Sequence, residues 1–495
     1  MPTRAVALRS LMAQRSLGSP RAQRPAFGSA GIRRQRPTGS RRRVPAAVAL
    51  PLVLVAIFLG TAHQTDTSGG WDVPGALVVG PILLLVTLPF LAAAGRREAD
   101  PAMGRLFKIA LLLKLGGALI RYAVIFSIYG GSGDLPLYHD QGLKFAPQIR
   151  HFDFIFTFGY HQGLVGNGFV QVLTGTVYAL VGPTKLGGFL VFSWLGFWGL
   201  FLFYRAFCIA FPVGDRKRYA LLVFFLPSLL FWPSSIGKDA WMMFSLGVAA
   251  YGAARVLARE RAGFVVLGLG LAGAALVRPH VSAIVMVGLL AAYFFNRTPD
   301  KVSPLGPVAK VVGLVLLIGA TSILFRQTSD YLQVGSLNTT TVGQVQKQTQ
   351  QLTSEGGSAF QTSSKGGLSS LPLGIVTLLF RPFPFEAHSP QGLFASLEGV
   401  VLLGLLVQSR RRLRQIISLA LRHSYLILVA IYSLIFIYAF SVISNFGIVA
   451  RQRAQLYPFF LVLLALPAIP RPPRVKRVRS RATARVGQPG RFPRR

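Results

Sequence analysis

The chain has 495 residues, 52% of them hydrophobic and only 14% charged, with a net charge of +38. Long apolar runs recur from Val44 to Ile469, so a water-soluble globular fold is excluded and an all-α, polytopic membrane protein is expected, since a helix crosses the hydrocarbon with about 20 mostly apolar residues. The single cysteine, Cys208, excludes an intrachain disulfide and a cysteine-cluster metal site, and in its apolar run it reads as a small packing hydrophobe.

In chain order, residues 1–43 come first, with eleven arginines and no acid in a Pro-, Ser- and Gly-rich stretch. Residues 470–495 repeat the pattern with nine arginines and Lys476, so the two tails hold 21 of the 53 basic residues. Segments this polar cannot bury a core and are expected to be disordered. Their charge reads as cytoplasmic flanks that bind anionic lipids, with no specific nucleic acid as partner. The first apolar run begins only at Val44 and lacks a cleavage site, which argues against a signal peptide.

Twelve spans fit the sequence. Spans 44–62 and 74–94 form an N-terminal hairpin, 44–94. Spans 106–128, 186–208, 219–235, 240–257, 264–277, 281–296 and 307–325 form a core, 95–325, interrupted by a large outer loop at 129–185. A polar outer loop with a re-entrant segment fills 326–390, and spans 391–408, 423–443 and 454–469 complete the C-terminal part, 391–469. Cytoplasmic loops then carry Arg96, Arg97, Arg105, Arg216, Lys217, Arg218, Arg259, Arg261, Arg297, Lys301, Arg410, Arg411, Arg412 and Arg414, while the first outer loop has no basic residue. This alternation follows the positive-inside rule and puts both termini in the cytoplasm of a multi-pass protein of the cell membrane. The run from Gly168 to Gly188 contains Gln171, Thr174 and Thr176 and reads as a juxtamembrane or re-entrant helix, because a span there would place Arg216–Arg218 outside. The Gln-, Thr- and Ser-rich stretch that opens the 326–390 loop is expected to be either functional or disordered.

On this topology nine of the fifteen acids fall outside, and three of them, Asp134, Asp140 and Asp153, lie within twenty residues beside His139, Lys144, Arg150 and His151. Tyr138, Gly142 and Phe145 recur at near-helical spacing, which implies a short interfacial helix that holds His139 and Asp140. Asp134 or Asp140 can then act as a general base toward a hydroxyl. Alternatively, the acids cap helices or pair with Lys144 and Arg150.

Other outer turns supply cations. "SSIGKDAW" places Lys238 and Asp239 at a helix opening, "VRPHV" supplies Arg278 and His280, "RPFPFEAH" supplies Arg381, Glu386 and His388, and "VARQR" supplies Arg451 and Arg453. Arginine suits phosphate because its planar fork donates two parallel hydrogen bonds, and free N–H groups at helix openings attract anions. Lys114, Arg121 and Glu398 fall inside spans, where such groups normally face a partner or cavity. An Arg121–Glu398 pair and a substrate-binding role are both open readings. No Walker loop, HExxH or Cys/His cluster is present, and the glycines of "GLGLAG" (268–273) read as helix-packing residues. The sequence points to no definite cofactor, and a divalent cation is compatible with the acids.

With "GDLPLYHDQGLKFAPQIRHFDF" opening the first large outer loop, followed by a juxtamembrane helix and a span ending in "YRAF…DRKR", the chain resembles the GT-C superfamily of membrane glycosyltransferases over roughly residues 106–300. The chain departs from that family in its N-terminal hairpin, in lacking a large C-terminal soluble domain, and in having Leu135 where the family has an acidic pair. The resemblance implies Asp134 as the catalytic carboxylate, a polyprenyl-phosphate sugar as donor, and an envelope glycan, lipid or protein as acceptor. Lys238, Arg278, Arg381 and Arg451 would hold the phosphate, with His139, Asp239, His280 and Glu386 completing the substrate site. The neighbouring alternative is a polysaccharide polymerase or ligase, and a different class is a transporter or flippase of a lipid-linked sugar.

Overall fold

The computed structural model describes residues 71–158, 163–260, 262–295, 306–334, 338–354, 358–360, 371–414, 416–420 and 422–467. The expected span 44–62 and the two basic tails lie outside them. The described residues form helices α1 (Asp72–Gly95), α2 (Ala102–Ala123, continued by a wider turn to Ile128), α3 (Leu135–Arg150), α4 (Phe169–Val181), α5 (Lys185–Ala210), α6 (Arg216–Phe225), α7 (Pro227–Phe231), α8 (Lys238–Leu257) and α9 (Gly263–Ala275). There follow α10 (Pro279–Phe294), α11 (Gly306–Tyr331), α12 (Thr339–Thr353), α13 (Leu371–Phe380), α14 (Pro390–Leu413), α15 (Ile416–Ala420), α16 (Ser424–Phe440) and α17 (Phe446–Phe460). Strand-like pairing among the described residues is limited to one bridge, Ala359 with Asn445.

Seven helices are long and apolar enough to cross a membrane: α1, α2, α4 with its preceding turn, α5, α8, α11 and α14. Four further apolar helices, α9, α10, α13 and α16, have 10–17 residues. The chain is therefore a helical, membrane-embedded protein, and the expected count of twelve spans is not reproduced.

The clearest departure is at 219–235, expected as one span. Pro227 has no N–H to continue a helix and disfavours helical geometry in the residue before it. Leu226 is accordingly extended (φ −66°, ψ 126°), and the segment breaks into α6 and α7. The break frees backbone groups inside the bundle, and two buried ions satisfy them. Lys114 Nζ donates to the carbonyls of Leu229 (2.7 Å) and Leu230 (3.4 Å), and Ser228 N–H donates to Glu398 Oε2 at 2.6 Å. Irregular backbone at this depth persists only where such partners cover it. Glu398 also pairs with Arg453 at 3.6 Å. Arg121, the other candidate partner, lies instead over the rings of Phe231 and Trp232, 4.7 Å from each centroid.

Small residues set the closest helix approaches. A Cβ on Gly247 of α8 would strike the backbone of Gly199 on α5, and one on Gly270 of α9 would strike Ala249 of α8. The "GLGLAG" glycines thus include a true packing position. Below this contact an aromatic cluster fills the core, with Phe107 meeting Phe201, Tyr204 and Phe224 at centroid distances of 5.4, 5.3 and 5.9 Å.

The helix ends gather on two faces. On one, α1, α5, α8, α10, α14 and α17 begin; it carries Asp134 and is hereafter the motif face. The opposite face carries the ion pairs Glu98–Arg205, Glu98–Arg216, Asp100–Lys217, Asp215–Arg412 and Arg255–Glu260, with Arg96, Arg97, Arg105, Arg259, Arg410 and Arg414 close by in the chain. Among the described residues the basic loops grouped by charge alternation share this face; Arg261, Arg297 and Lys301 lie outside the described residues. Helix α4 meets the length and hydropathy of a span, yet both its ends are fastened to the motif face. Gly166 N–H, at a positive φ of 91°, donates to Leu276 carbonyl (2.8 Å) at the α9–α10 turn, and Trp71 Nε1 donates to Val181 carbonyl (3.3 Å) beside the start of α1. It lies across that face, on top of the bundle.

The polar loop at 326–390 contains a helix that composition did not reveal. Asn338 and Thr341 form a reciprocal capping box at the start of α12. Gln346 donates to Tyr438 carbonyl (3.2 Å), and Thr353 Oγ1 accepts from Ser444 N–H (3.0 Å), which ties α12 to the chain on either side of Ser441.

Candidate functional site

Helix α3 forms as its spacing implies: Leu135, Tyr138, Gly142, Phe145 and Ala146 are buried, on the stripe that faces α4. Gly142 lies against Thr174, and Phe145 lies against Gly175, so the two helices touch through small residues. This packing fixes the start of α3 and hence Asp134, which occupies the capping position without making a capping hydrogen bond. Arg150 does not pair with the acids either, since it donates to the carbonyls of Ala179 (3.1 Å) and Tyr178 (3.0 Å).

Asp134 instead meets residues from the far end of the chain. Arg451 Nη1 donates to Asp134 Oδ2 at 3.3 Å, and Arg451 Nε donates to Asp239 Oδ2. Asp239 lies in the first turn of α8 and also accepts from Arg278 Nη2 at 3.5 Å. Arg278 Nη1 donates to Gln452 Oε1 at 2.6 Å, and Gln455 Nε2 donates to the same oxygen at 2.9 Å. The Asp239 side chain is 10% exposed and that of Arg278 9%, whereas that of Asp134 is 54% exposed. The site thus has a sequestered base of alternating charges with one carboxylate open at its rim.

Lys238 is half-buried at the start of α8 and lies within the electrostatic reach of Arg278, Asp134, Arg451 and Asp239. Among the described residues its ammonium makes no hydrogen bond or ion pair. Tyr138 donates to Asn167 Oδ1 at 3.0 Å. Burial, and next the charge of Asp134, push its hydroxyl well above the ordinary phenol range, so Tyr138 stays a donor.

The other candidate residues lie around this group. His139 Nδ1 lies 2.8 Å from Tyr178 Oη, and burial followed by the charge of Lys185 lowers its pKa against the opposing charges of Asp140 and Asp72. Asp140 is exposed on the next position of α3. His280 is inside the bundle, its ring 5.8 Å from Tyr331 and 5.9 Å from Phe440, with Nδ1 unpartnered. Arg381 and Glu386 pair with each other, apart from the Asp134 cluster. Arg453, grouped with Arg451 on the sequence, is fully buried and donates to the carbonyls of Arg381 (3.1 Å) and Ala395 (3.2 Å).

No protein-family model, curated protein or solved structure matches the chain. Function must therefore be read from the geometry. Two residues that hold the site, Gln452 and Asn167, were not apparent from the sequence. Gln452 stands between two arginines in "RQR", and that placement is the only local signal for it. Among the described residues no three His, Cys, Asp or Glu side chains come together to hold a metal ion.

Proposed function

We propose that the chain is a membrane glycosyltransferase that passes a sugar from a polyprenyl-phosphate donor to a cell-envelope acceptor, with its motif face on the outer side and both termini in the cytoplasm. One observation carries this reading: Asp134 is an exposed carboxylate bonded into a cluster whose cations exceed its acids. Lys238, Arg278 and Arg451 stand against Asp134 and Asp239, three charges against two, which leaves one positive charge to meet a phosphate. An acceptor hydroxyl attacks the anomeric carbon and gives its proton to Asp134. The bond from that carbon to the phosphate oxygen breaks, and the phosphate leaves with the electron pair beside the arginines. Anionic lipids would hold the basic tails.

A transporter reading would draw on charges at membrane depth. Lys114 and Glu398 are engaged with the broken backbone at Pro227, and Arg453 with two carbonyls, so these groups lend that reading little support.

The test compares sugar transfer and lipid-phosphate binding in purified variants. Asp134→Asn should lower turnover about 10²–10⁴-fold, the usual contribution of a positioned base, with donor binding preserved. Arg278→Ala should instead weaken donor binding by about 1.5–3 kcal/mol, the worth of a charge-assisted contact. Near-normal transfer by Asp134→Asn moves the base to Asp140. Normal transfer by both single variants and the double variant ends the mechanism.

A further inference from the structure

Five residues before Arg451 on α17, Phe446 lines a second site: a cavity of about 340 Å³ shared with Phe360, Arg381, Phe385, Glu386 and His388. Its construction differs from that of the Asp134 cluster. Glu386 accepts from Arg381 Nε (3.0 and 3.1 Å to its two oxygens) and Nη2 (2.5 Å), and from Phe383 N–H at 2.8 Å. The guanidinium lies on the ring of Phe360, 4.4 Å from its centroid, and Phe360 stacks on Phe446 at 4.1 Å. Arg381 is thus neutralised on its edge and covered on a face. A phosphate would have to displace a carboxylate already held by four N–H···O contacts.

What remains available is a neutral, bifunctional surface. Arg381 Nη1 makes no hydrogen bond among the described residues and is left to donate, while four contacts already occupy the acceptor sites of Glu386. The exposed His388 imidazole uses Nδ1 toward Glu386 carbonyl at 2.9 Å, which leaves Nε2 for a ligand. At the rim Phe385 is 81% exposed and stacked on Phe383, with centroids 5.4 Å apart. A flat apolar face next to closely spaced donors and acceptors matches a sugar ring, which has an apolar C–H face and a hydroxyl edge. The volume lies at the small end of ligand pockets, which suits one or two sugar units.

We propose that the Arg381–Glu386 pocket is a binding subsite for a neutral saccharide. Its role as the acceptor subsite rests on the proposed transferase activity; saccharide binding itself does not. Phe446 and Arg451 are about 7.5 Å apart along the helix axis and about 140° apart around it, so a glycan that reached Asp134 from the pocket would pass around the start of α17.

The experiment is saturation-transfer NMR on the full-length protein in nanodiscs, with a panel of neutral methyl glycosides and disaccharides as probes. At least one neutral glycoside should bind, and millimolar inorganic phosphate should not displace it. Glu386→Gln should weaken binding about tenfold or more, since it loosens the charge-assisted contacts that fix the Arg381 guanidinium. Phe385→Ala, at an exposed position with no fold to disturb, should weaken it as well. Absence of binding by every neutral glycoside, displacement by phosphate, or affinity unchanged in Phe385→Ala would overturn the proposal. Intact glycoside binding beside absence of sugar transfer from polyprenyl-phosphate donors by the wild-type protein would uphold the saccharide site and reject the transferase.

Discussion

Arg451 and Arg453 stand two residues apart on α17 and serve opposite ends. The Arg451 side chain is 28% exposed and bridges Asp134 to Asp239, whereas Arg453 is fully buried against Glu398. A buried charge left without its partner is costly, so Glu398→Gln should lower stability by about 3–5 kcal/mol. Replacing both residues by methionine should recover only part of that loss: no charge is then stranded, but Ser228 N–H and the carbonyls of Arg381 and Ala395 lose their partners. Thermal unfolding of the purified protein in detergent would read this, and an unchanged midpoint in Glu398→Gln would show that the pair contributes nothing. Glu386 allows a pH test at the same scale. Burial pushes its pKa up, but the bonds from Arg381 and Phe383 N–H, with the Arg381 charge, outweigh burial and hold it below the ordinary value of 4.5. A carboxylate depressed on folding contributes stability that is present above its unfolded pKa and is lost as the pH falls through its folded pKa. The stability difference between the wild type and Glu386→Gln should therefore be constant near neutrality and close as the pH drops below about 4.5. A difference that persists into strongly acidic buffer would remove the ion pair as its cause.

Among elements, the contact of α5 with α8 depends on the absence of side chains at Gly199 and Gly247. Gly247→Val should destabilise by about 1–3 kcal/mol through overpacking. Gly268, on α9 with open space for 4 Å around the point where a Cβ would stand, is the matched control, and Gly268→Val should leave the unfolding midpoint nearly unchanged. Equal effects of the two substitutions would mean that helix propensity, not the close approach, sets the cost. The start of α3 follows the same logic. Its stripe is held by Thr174 and Gly175, so α4, lying across the bundle, is what aims Asp134 at Arg451.

For the whole molecule, the two faces predict opposite accessibility. In a Cys208→Ala background, Ser132→Cys next to the acidic motif should react with an impermeant thiol reagent added to intact cells. Val213→Cys, 83% exposed on the opposite face, should react only after the membrane is opened. Labelling of both in intact cells, or the reverse order, would overturn the orientation on which the proposed chemistry depends.

Apolar composition, the alternation of basic loops and the Tyr138–Gly142–Phe145 stripe were readable in the chain, because burial in lipid and helical periodicity are properties of short windows. That Pro227 stands inside an apolar run was also visible, but its consequence was not: the freed amide and carbonyls are satisfied by Glu398 and Lys114, which are 170 and 115 residues away from the groups they bind. The site has the same character. Arg451 lies 317 residues from Asp134 and 212 from Asp239, so the partner of each charge was set by which helix ends meet on one face. Arg381 and Arg451 look alike as outer-turn cations in the sequence. Arg381 is neutralised within its own turn by Glu386, five residues on, whereas the packing of α17 gave Arg451 two aspartates from distant helices, because that pairing depends on distances in space that no local pattern encodes.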